Sequence, residues 1–271
     1  MPHADNNGVK IHYEVEGQGA PLMLVHGFGG SLDTWQQLGY VQELTGEHRL
    51  ILIDVRGCGD SDKPHDASAY TFQNLVADLV AVLDHLKIDK ADYVGYSMGG
   101  RIGFRIPIYA PERFNSLTIG GAAYPIAGTE DAADDLLTGI HLTLEKAVKE
   151  APQNPMEFFV ATMEKRMGTT IPPPRKATFL ADDAWALLAS ARAFRGAVSA
   201  KADEFLPGIE LPVLLLVGEA DPRFPTVREC AARIRGAKFV SFPGLDHVQA
   251  AARIDLILPV IRKFLGEAGI R

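Results

Sequence analysis

Gly95-Tyr96-Ser97-Met98-Gly99 follows the apolar stretch Asp92-Tyr93-Val94 and precedes a segment compatible with a helix. It spells G-x-S-x-G at the junction of a strand and a helix. A serine at the tip of so sharp a turn adopts a strained backbone conformation. The residues two positions either side of it must be nearly free of side chain, or the two arms of the turn collide. Such a turn exposes the serine oxygen and aims the first N–H groups of the following helix at the same point. A hydroxyl is a weak nucleophile at neutral pH, so Ser97 needs a base.

The chain offers one downstream. His247 lies in Pro243-Gly244-Leu245-Asp246-His247, after the strand-like run Phe239 to Phe242. Asp221 lies in Gly218-Glu219-Ala220-Asp221, after the run Val213 to Val217. The order is therefore Ser, Asp, His, with each residue just beyond a strand. A parallel sheet brings such loops to one edge even though they are distant in sequence. Asp246 is a rival acid, but as the immediate neighbour of His247 it is poorly placed to face that imidazole. Asp182 and Asp183 read as solvated or capping residues.

Further strands and helices alternate around this centre. Asn7-Gly8 predicts a hairpin turn, followed by the alternating strand Val9 to Val15. Leu22 to Val25, Leu50 to Ile53, Tyr93 to Gly95 and Leu117 to Ile119 are short apolar runs of the buried parallel type. Helical periodicity covers Leu32 to Leu44, Phe72 to Leu86, Arg101 to Tyr109 (with Pro107 as a kink or end), Val227 to Ile234 and Ile254 to Leu265. The pattern predicts an α/β fold, a mostly parallel sheet with helices on both faces. From Tyr124 to Leu206 no strand is evident. Helix-like stretches at Ala132 to Val148, Met156 to Met167 and Ala181 to Phe194 occupy it, with Ile171-Pro172-Pro173-Pro174 separating the last two. So long a strandless segment is no connecting loop. It reads as a helical cap over residues 124–206, at the carboxyl ends of the strands where open α/β sheets bind ligands. The core then comprises residues 1–123 and 207–271.

Composition narrows the partners. The chain has 271 residues, 47% hydrophobic and 23% charged, with a formal net charge of −7. That excess of acid argues against nucleic acid and against anionic membranes as partners. No apolar run approaches a membrane span, and the N-terminal residues lack a signal-peptide pattern, so the expected location is cytoplasmic and without a membrane anchor. Cys58 and Cys230 make no disulfide framework. No H-E-x-x-H or C-x-x-C motif is present, and the chemistry is expected to need neither metal nor other cofactor. The oligomeric state is left open.

An anionic intermediate needs hydrogen-bond donors. His26-Gly27-Phe28-Gly29-Gly30 follows the run Leu22 to Val25, and its glycines permit a tight turn. The backbone N–H groups of Phe28 and Met98 are the candidate oxyanion donors. His26 reads as structural. No G-x-G-x-x-G spacing occurs here, which discounts a dinucleotide site.

With these motifs, the chain resembles the α/β-hydrolase family over nearly its whole length. The match rests on H-G-x-G-G at His26 to Gly30, the serine turn at Gly95 to Gly99, Asp221, His247, and Asp54-Val55-Arg56-Gly57-Cys58-Gly59-Asp60-Ser61, which resembles the family's D-x-R-G-x-G-x-S loop. The resemblance implies eight mostly parallel strands with a helical cap between the sixth and seventh, and structural roles for Asp54 and Arg56. Family members acting on haloalkanes and epoxides use an aspartate where Ser97 stands. Many carbon–carbon bond hydrolases carry Trp after the catalytic His, where this chain has Val248. Both departures favour ester or lactone hydrolysis, and the leading expectation is a serine carboxylesterase for small to medium acyl chains. A lactonase or perhydrolase on the same triad, and a small-molecule receptor retaining the fold, are the alternatives. The small-molecule partner is thus an ester or lactone. The cap's Leu136, Leu137, Leu142, Phe158, Phe159, Met163, Met167, Phe179, Leu180 and Trp185 are expected mostly in its core. Arg166, Arg175, Arg192 and Arg195 read as a solvated face, or alternatively as a carboxylate anchor of the kind found in enol-lactone hydrolases of the family.

Overall fold

The computed structural model of the protein describes residues 1–126, 132–168, 170–196 and 201–267, with backbone only for 132–136 and 167. Leu136 and Met167 therefore lie outside the described side chains. The chain opens with a hairpin, β1 (His3–Asn6) and β2 (Val9–Glu16), turning at Asn7 and Gly8, both at positive φ. β3 (Ala20–Val25) leads to α1 (Asp33–Gln37) and α2 (Tyr40–Leu44). The sequence predicted one helix there; Gly39 at φ 88 breaks it in two. β4 (His48–Ile53), α3 (Phe72–His85), β5 (Ala91–Tyr96), α4 (Met98–Gly103), α5 (Ile106–Tyr109) and β6 (Phe114–Gly120) follow. Pro107 sits in the first turn of α5, where its missing N–H costs nothing. Among the described residues five helices come next: α6 (Ala132–Glu150), α7 (Pro155–Met167), α8 (Pro173–Ala181), α9 (Ala184–Gly196) and α10 (Ala202–Phe205). The chain closes with β7 (Val213–Gly218), α11 (Phe224–Arg233), β8 (Lys238–Phe242), α12 (His247–Ala252) and α13 (Ile254–Glu267).

All eight strands form one sheet in the order β1-β2-β4-β3-β5-β6-β7-β8. The two pairings at the β1 end are antiparallel and the rest are parallel. Alternate side chains of each strand face opposite cores, as the two-residue period of a strand requires. Leu22 and Leu24, with Leu50 and Leu52, face Trp35, Tyr40, Leu44 and the apolar stripe of α13. Met23 and Val25, with Ile51 and Ile53, face α3, α4 and α11. Both faces are covered, so the central strands read as unbroken apolar runs. The eighth strand, β1, was invisible in the sequence because its His3-Ala4-Asp5-Asn6 is mostly polar; only Ala4 is buried.

The helical cap lies between β6 and β7, as expected. Two of its details differ from the sequence reading. Pro173 does not merely separate helices but starts α8, being tolerated at a helix N-terminus. Leu142, Leu180 and Trp185 are exposed rather than core, whereas Leu137, Phe159 and Met163 are buried. The cap docks through Phe194, which stacks on Phe72 of α3 at 5.3 Å between centroids, and through Asp183, which lies 3.0 Å from His65 of the core.

Candidate active site

The topology brings the chemistry together at one edge. The chain leaves β3 to form β4 on one side and β5 on the other, so the loops after β3 and β5 diverge over a shared crevice. The register places Val25 beside Gly95, and hence the His26–Gly30 loop beside Ser97. On the far side, Gly218 of β7 pairs with Phe242 of β8, which sets the Asp221 and His247 loops next to each other.

Ser97 has φ 55 and ψ −108, a conformation a side chain rarely adopts. Backbone hydrogen bonds over-determine it. Its N–H donates to Gly120 O of β6 at 2.8 Å, and the Gly99 N–H donates to His26 O at 3.1 Å. Neither flanking glycine has room for a Cβ. On Gly95 it would meet the Gly99 carbonyl group at 2.6 Å, and on Gly99 it would drive into the carbonyl oxygen of Val25. This is the crowding that the G-x-S-x-G spacing implied. Ser97 is half-buried, and Met98 opens α4, so the Met98 N–H is free of an intrahelical partner by position.

Three side chains from three loops form a line. His247 Nε2 is 3.0 Å from Ser97 Oγ, and His247 Nδ1 is 2.7 Å from Asp221 Oδ2. Asp221 is fully buried at its side chain while His247 keeps 21% of its surface open. Burial alone would raise the Asp221 carboxyl pKa. The hydrogen bond and charge of His247, the charge of Arg223 and the Arg223 N–H outweigh it, and the group is held below its ordinary value. An ionised Asp221 fixes the tautomer: Nδ1 carries the hydrogen and Nε2 presents its lone pair to Ser97.

The sequence reading missed two neighbours of this line. Arg223 donates to Asp221 Oδ1 through both its backbone N–H and Nη1, each at 3.0 Å. Its Nη1 also lies 3.2 Å from His247 Nδ1, where two donors face one another. Tyr96 donates its hydroxyl to His247 O at 2.6 Å and its ring lies 5.2 Å from the imidazole. No local signal marks either role; only the spacing Asp221-x-Arg223 hints at a turn. Asp246 has a different job. It caps α12 by accepting from the N–H groups of Val248 and Gln249, while Gln249 accepts from the Asp246 N–H. The D-x-x-Q spacing is a local signal for this reciprocal cap, which the reading of Asp246 as a rival acid passed over.

The loop after β3 is equally well held. His26 is fully buried; its Nε2 accepts from Val55 N–H, so its Nδ1 donates to Gly27 O at 2.8 Å. Burial chiefly depresses its pKa, against the opposing pull of Asp54, and keeps it neutral. A Cβ on Gly27 would touch Ser97 Cβ at 3.3 Å, so the loop passes directly over the serine, with Phe28 next along it. Asp54 accepts from Leu32 N–H, Asp60 N–H and His12 Nδ1, and Arg56 makes a forked pair with Asp78. Asp54 thus ties the segment after β4 to β2 and to the start of α1, and Arg56 ties it to α3. Among the cap arginines, Arg192 pairs with Glu145 and Arg195 contacts His141. Arg166 packs against Gly139. Arg175 alone of the four reaches the loop over Ser97, donating to Phe28 O at 2.6 Å. Among the described residues, no group of three or more His, Cys, Asp or Glu is placed to hold a metal ion, and no helix is long and apolar enough to cross a membrane.

Comparison with known proteins agrees with this architecture. A family model described as the alpha/beta hydrolase fold matches residues 20–250, and the chain belongs to that family. The enol-lactonase from Burkholderia xenovorans LB400 superposes with a TM-score of 0.80 at 23% identity, covering 98% of this chain and 100% of that one. A thermophilic esterase from Thermogutta terrifontis superposes at 0.77 with 23% identity, covering 98% of each. At these identities the likeness is one of fold. The 2-hydroxymuconate semialdehyde hydrolase of Pseudomonas sp. (strain CF600) is 38% identical over 129 residues, 46% of this chain and 45% of that protein. The chain thus aligns with less than half of that relative, as it does with other curated relatives matched above 30% identity.

Proposed function

We propose that this member of the alpha/beta hydrolase family is a hydrolase that cleaves carboxylic esters of small to medium acyl chain through Ser97, His247 and Asp221. The observation that carries this reading is the unbroken line from Ser97 Oγ to His247 Nε2, and from Nδ1 to a buried, ionised Asp221, at 3.0 and 2.7 Å. The strained serine supports it, because strain of about 1–3 kcal/mol persists only where the surroundings enforce it.

The geometry performs the reaction in two halves. Ser97 Oγ attacks the ester carbonyl carbon while His247 Nε2 takes the hydroxyl proton. The resulting imidazolium faces the Asp221 carboxylate. The carbonyl oxygen becomes anionic between the Phe28 and Met98 N–H groups, whose fixed direction stabilises charge as it develops. Collapse expels the alcohol, which collects the proton from Nε2, and leaves an acyl group on Ser97. Water then repeats the sequence with His247 again as base, releasing the acid. A lactone is an ester closed on itself, and the same atoms would open it.

Hydrolysis of p-nitrophenyl esters from C2 to C12, run beside a lactone panel, tests the reading. Turnover is expected with shorter esters, and a fluorophosphonate is expected to label Ser97. Ser97→Ala should lose on the order of 10⁶ in kcat, since triad members act as a unit. Single, slow turnover coupled to binding of another protein would instead indicate a receptor. Labelling of a different serine with Ser97→Ala still active would refute the assignment.

A further inference from the structure

His247 rides on a helix with little apolar hold on the rest of the protein. α12 is six residues long, and of these only Ala250 is buried. Val248, Gln249 and Ala252 are exposed, and His247 and Ala251 are half-buried. So short a helix is marginal unless tertiary contacts hold it. The Asp246 cap closes its first turn on itself and ties it to nothing else. The chain just before it is anchored where Ala220 N–H donates to Leu245 O at 3.0 Å.

Two tyrosines hold the backbone of α12 from the core side. Tyr96, the last residue of β5, donates its hydroxyl to His247 O at 2.6 Å. Tyr40, on α2, donates to Ala251 O at 3.0 Å. These are the carbonyls of the first and fifth residues of α12, so the two bonds grip it about one turn apart. Burial is the leading cause that raises the pKa of both phenols, so each keeps its proton to donate. The Tyr96 bond acts beside the imidazole, because the His247 carbonyl carbon is bonded to the Cα that carries the ring. The end of β6 is shaped to admit both rings. Gly120 pairs with Tyr96 in the sheet, and a Cβ on it would strike the Tyr96 ring at 2.5 Å. A Cβ on Gly121 would meet His247 Cε1 and Tyr96 Cζ, each at 2.8 Å. Tyr96 is also the residue before Ser97, so one side chain links the turn of the nucleophile to the helix of its base.

We infer that Tyr96 and Tyr40 are positioning residues: by donating to the first and fifth carbonyls of α12 from within the core, they fix that helix and with it the imidazole of His247 over Ser97. The inference rests on the serine-hydrolase reading above. Neither hydroxyl is free to take part in proton transfer, since each is committed to a backbone carbonyl. Their effect falls on the placement of the base, so kcat should carry it and KM should not.

The test is Tyr96→Phe, which keeps the ring and removes the donor, followed by kcat and KM on p-nitrophenyl acetate, amide hydrogen exchange and thermal melting. Misplacing a catalytic group by about 1 Å can cost about 10²-fold, so a loosened base should cost about 10–10² in kcat, with KM changed by less than about threefold. Phosphonylation of Ser97 should slow in parallel. Tyr40→Phe, one turn further from the imidazole, should lose a few-fold. In both variants amide exchange across α12 should speed up several-fold while β5 and β6 stay protected. Tyr70→Phe is the control: its hydroxyl also donates to a backbone carbonyl, Pro64 O at 2.6 Å, but away from α12, and its kcat should match the wild type. A folded Tyr96→Phe with wild-type kcat overturns the inference. So does a loss of kcat that Tyr70→Phe reproduces, or one without faster exchange in α12. Should Tyr96→Phe fail to fold, Tyr40→Phe decides: faster α12 exchange with lower kcat supports the inference, and unchanged exchange overturns it. Wild-type protein without esterase or lactonase turnover and without label on Ser97 would sink the serine-hydrolase reading itself, a separate result, since exchange in α12 is read without turnover.

Discussion

Asp221→Asn is the most informative single substitution, because Arg223 dictates how the new amide must sit. Asp221 Oδ1 accepts from the backbone N–H and Nη1 of Arg223, and Oδ2 accepts from His247 Nδ1. An asparagine has one acceptor and one donor to distribute. Its oxygen is held by the two Arg223 donors, so its NH₂ must face Nδ1. Nδ1 then becomes the acceptor, the hydrogen moves to Nε2, and Nε2 has no lone pair for the Ser97 proton. Flipping the amide would set its NH₂ against both Arg223 donors, a loss of about 2 kcal/mol, which confines the productive form to roughly one molecule in thirty. Losing the carboxylate opposite the imidazolium costs about 3 kcal/mol more, the upper range for a charged hydrogen bond. The expected fall in kcat is between about 10³ and 10⁴. Initial rates on p-nitrophenyl acetate measure it. The double variant Asp221→Asn/Arg223→Met, which removes one of the opposing donors, should turn over several times faster than Asp221→Asn alone. An Asp221→Asn enzyme within about tenfold of wild type would refute the role of Asp221 as orienting acid. A double variant no faster than the single would refute the argument that Arg223 fixes the amide.

Three further outcomes are expected. Asp246→Asn should leave kcat within a few-fold of wild type, while Asp246→Ala loses about 1 kcal/mol in urea unfolding through the α12 cap; a larger kcat loss than that of Asp221→Asn would transfer the acid role. Gly99→Ala forces a Cβ into the Val25 carbonyl and should cost about 3 kcal/mol or more, read as a large drop in Tm; a wild-type Tm would contradict the crowding of the serine turn. Burial is the main cause that pushes the Asp182 carboxyl up to about 7, with Arg175 and Lys63 opposing, and its Oδ2 has no hydrogen-bond partner. The folded chain therefore binds this proton more tightly than the unfolded chain, where the carboxyl titrates near ~3.9. Its contribution to stability is complete below about pH 4 and is lost as pH rises to about 7, so Asp182→Asn should gain on the wild type between those limits. Urea unfolding of both proteins at pH 4.5 and pH 8 checks this, and a constant difference would show that Asp182 is not perturbed in the folded state.

Much of the site is written locally. The G-x-S-x-G spacing specifies the turn at Ser97 because only glycine satisfies the close approaches at Gly95 and Gly99. The positions of Asp221 and His247 just beyond apolar runs are enough to place them at one sheet edge, since parallel strands share a direction. The alternation of strands and helices, and the long strandless stretch, give the α/β class and the cap. Tertiary structure decided what depends on side chains meeting across elements. Arg223 meets its near neighbour Asp221 within one loop, but it approaches His247 only because β7 and β8 are neighbours. The strand β1 pairs through its backbone and carries almost no apolar signal. Helix α8 begins in a proline run that a one-dimensional reading takes for a spacer, and Arg175 looked like one more surface charge. Its contact with Phe28 spans 147 positions of sequence, and no local pattern encodes a hydrogen bond between a cap side chain and a backbone carbonyl of the core. Local sterics fix turns and periodicity within a few residues; long-range polar contacts exist only once the sheet and cap have brought their donors and acceptors into register.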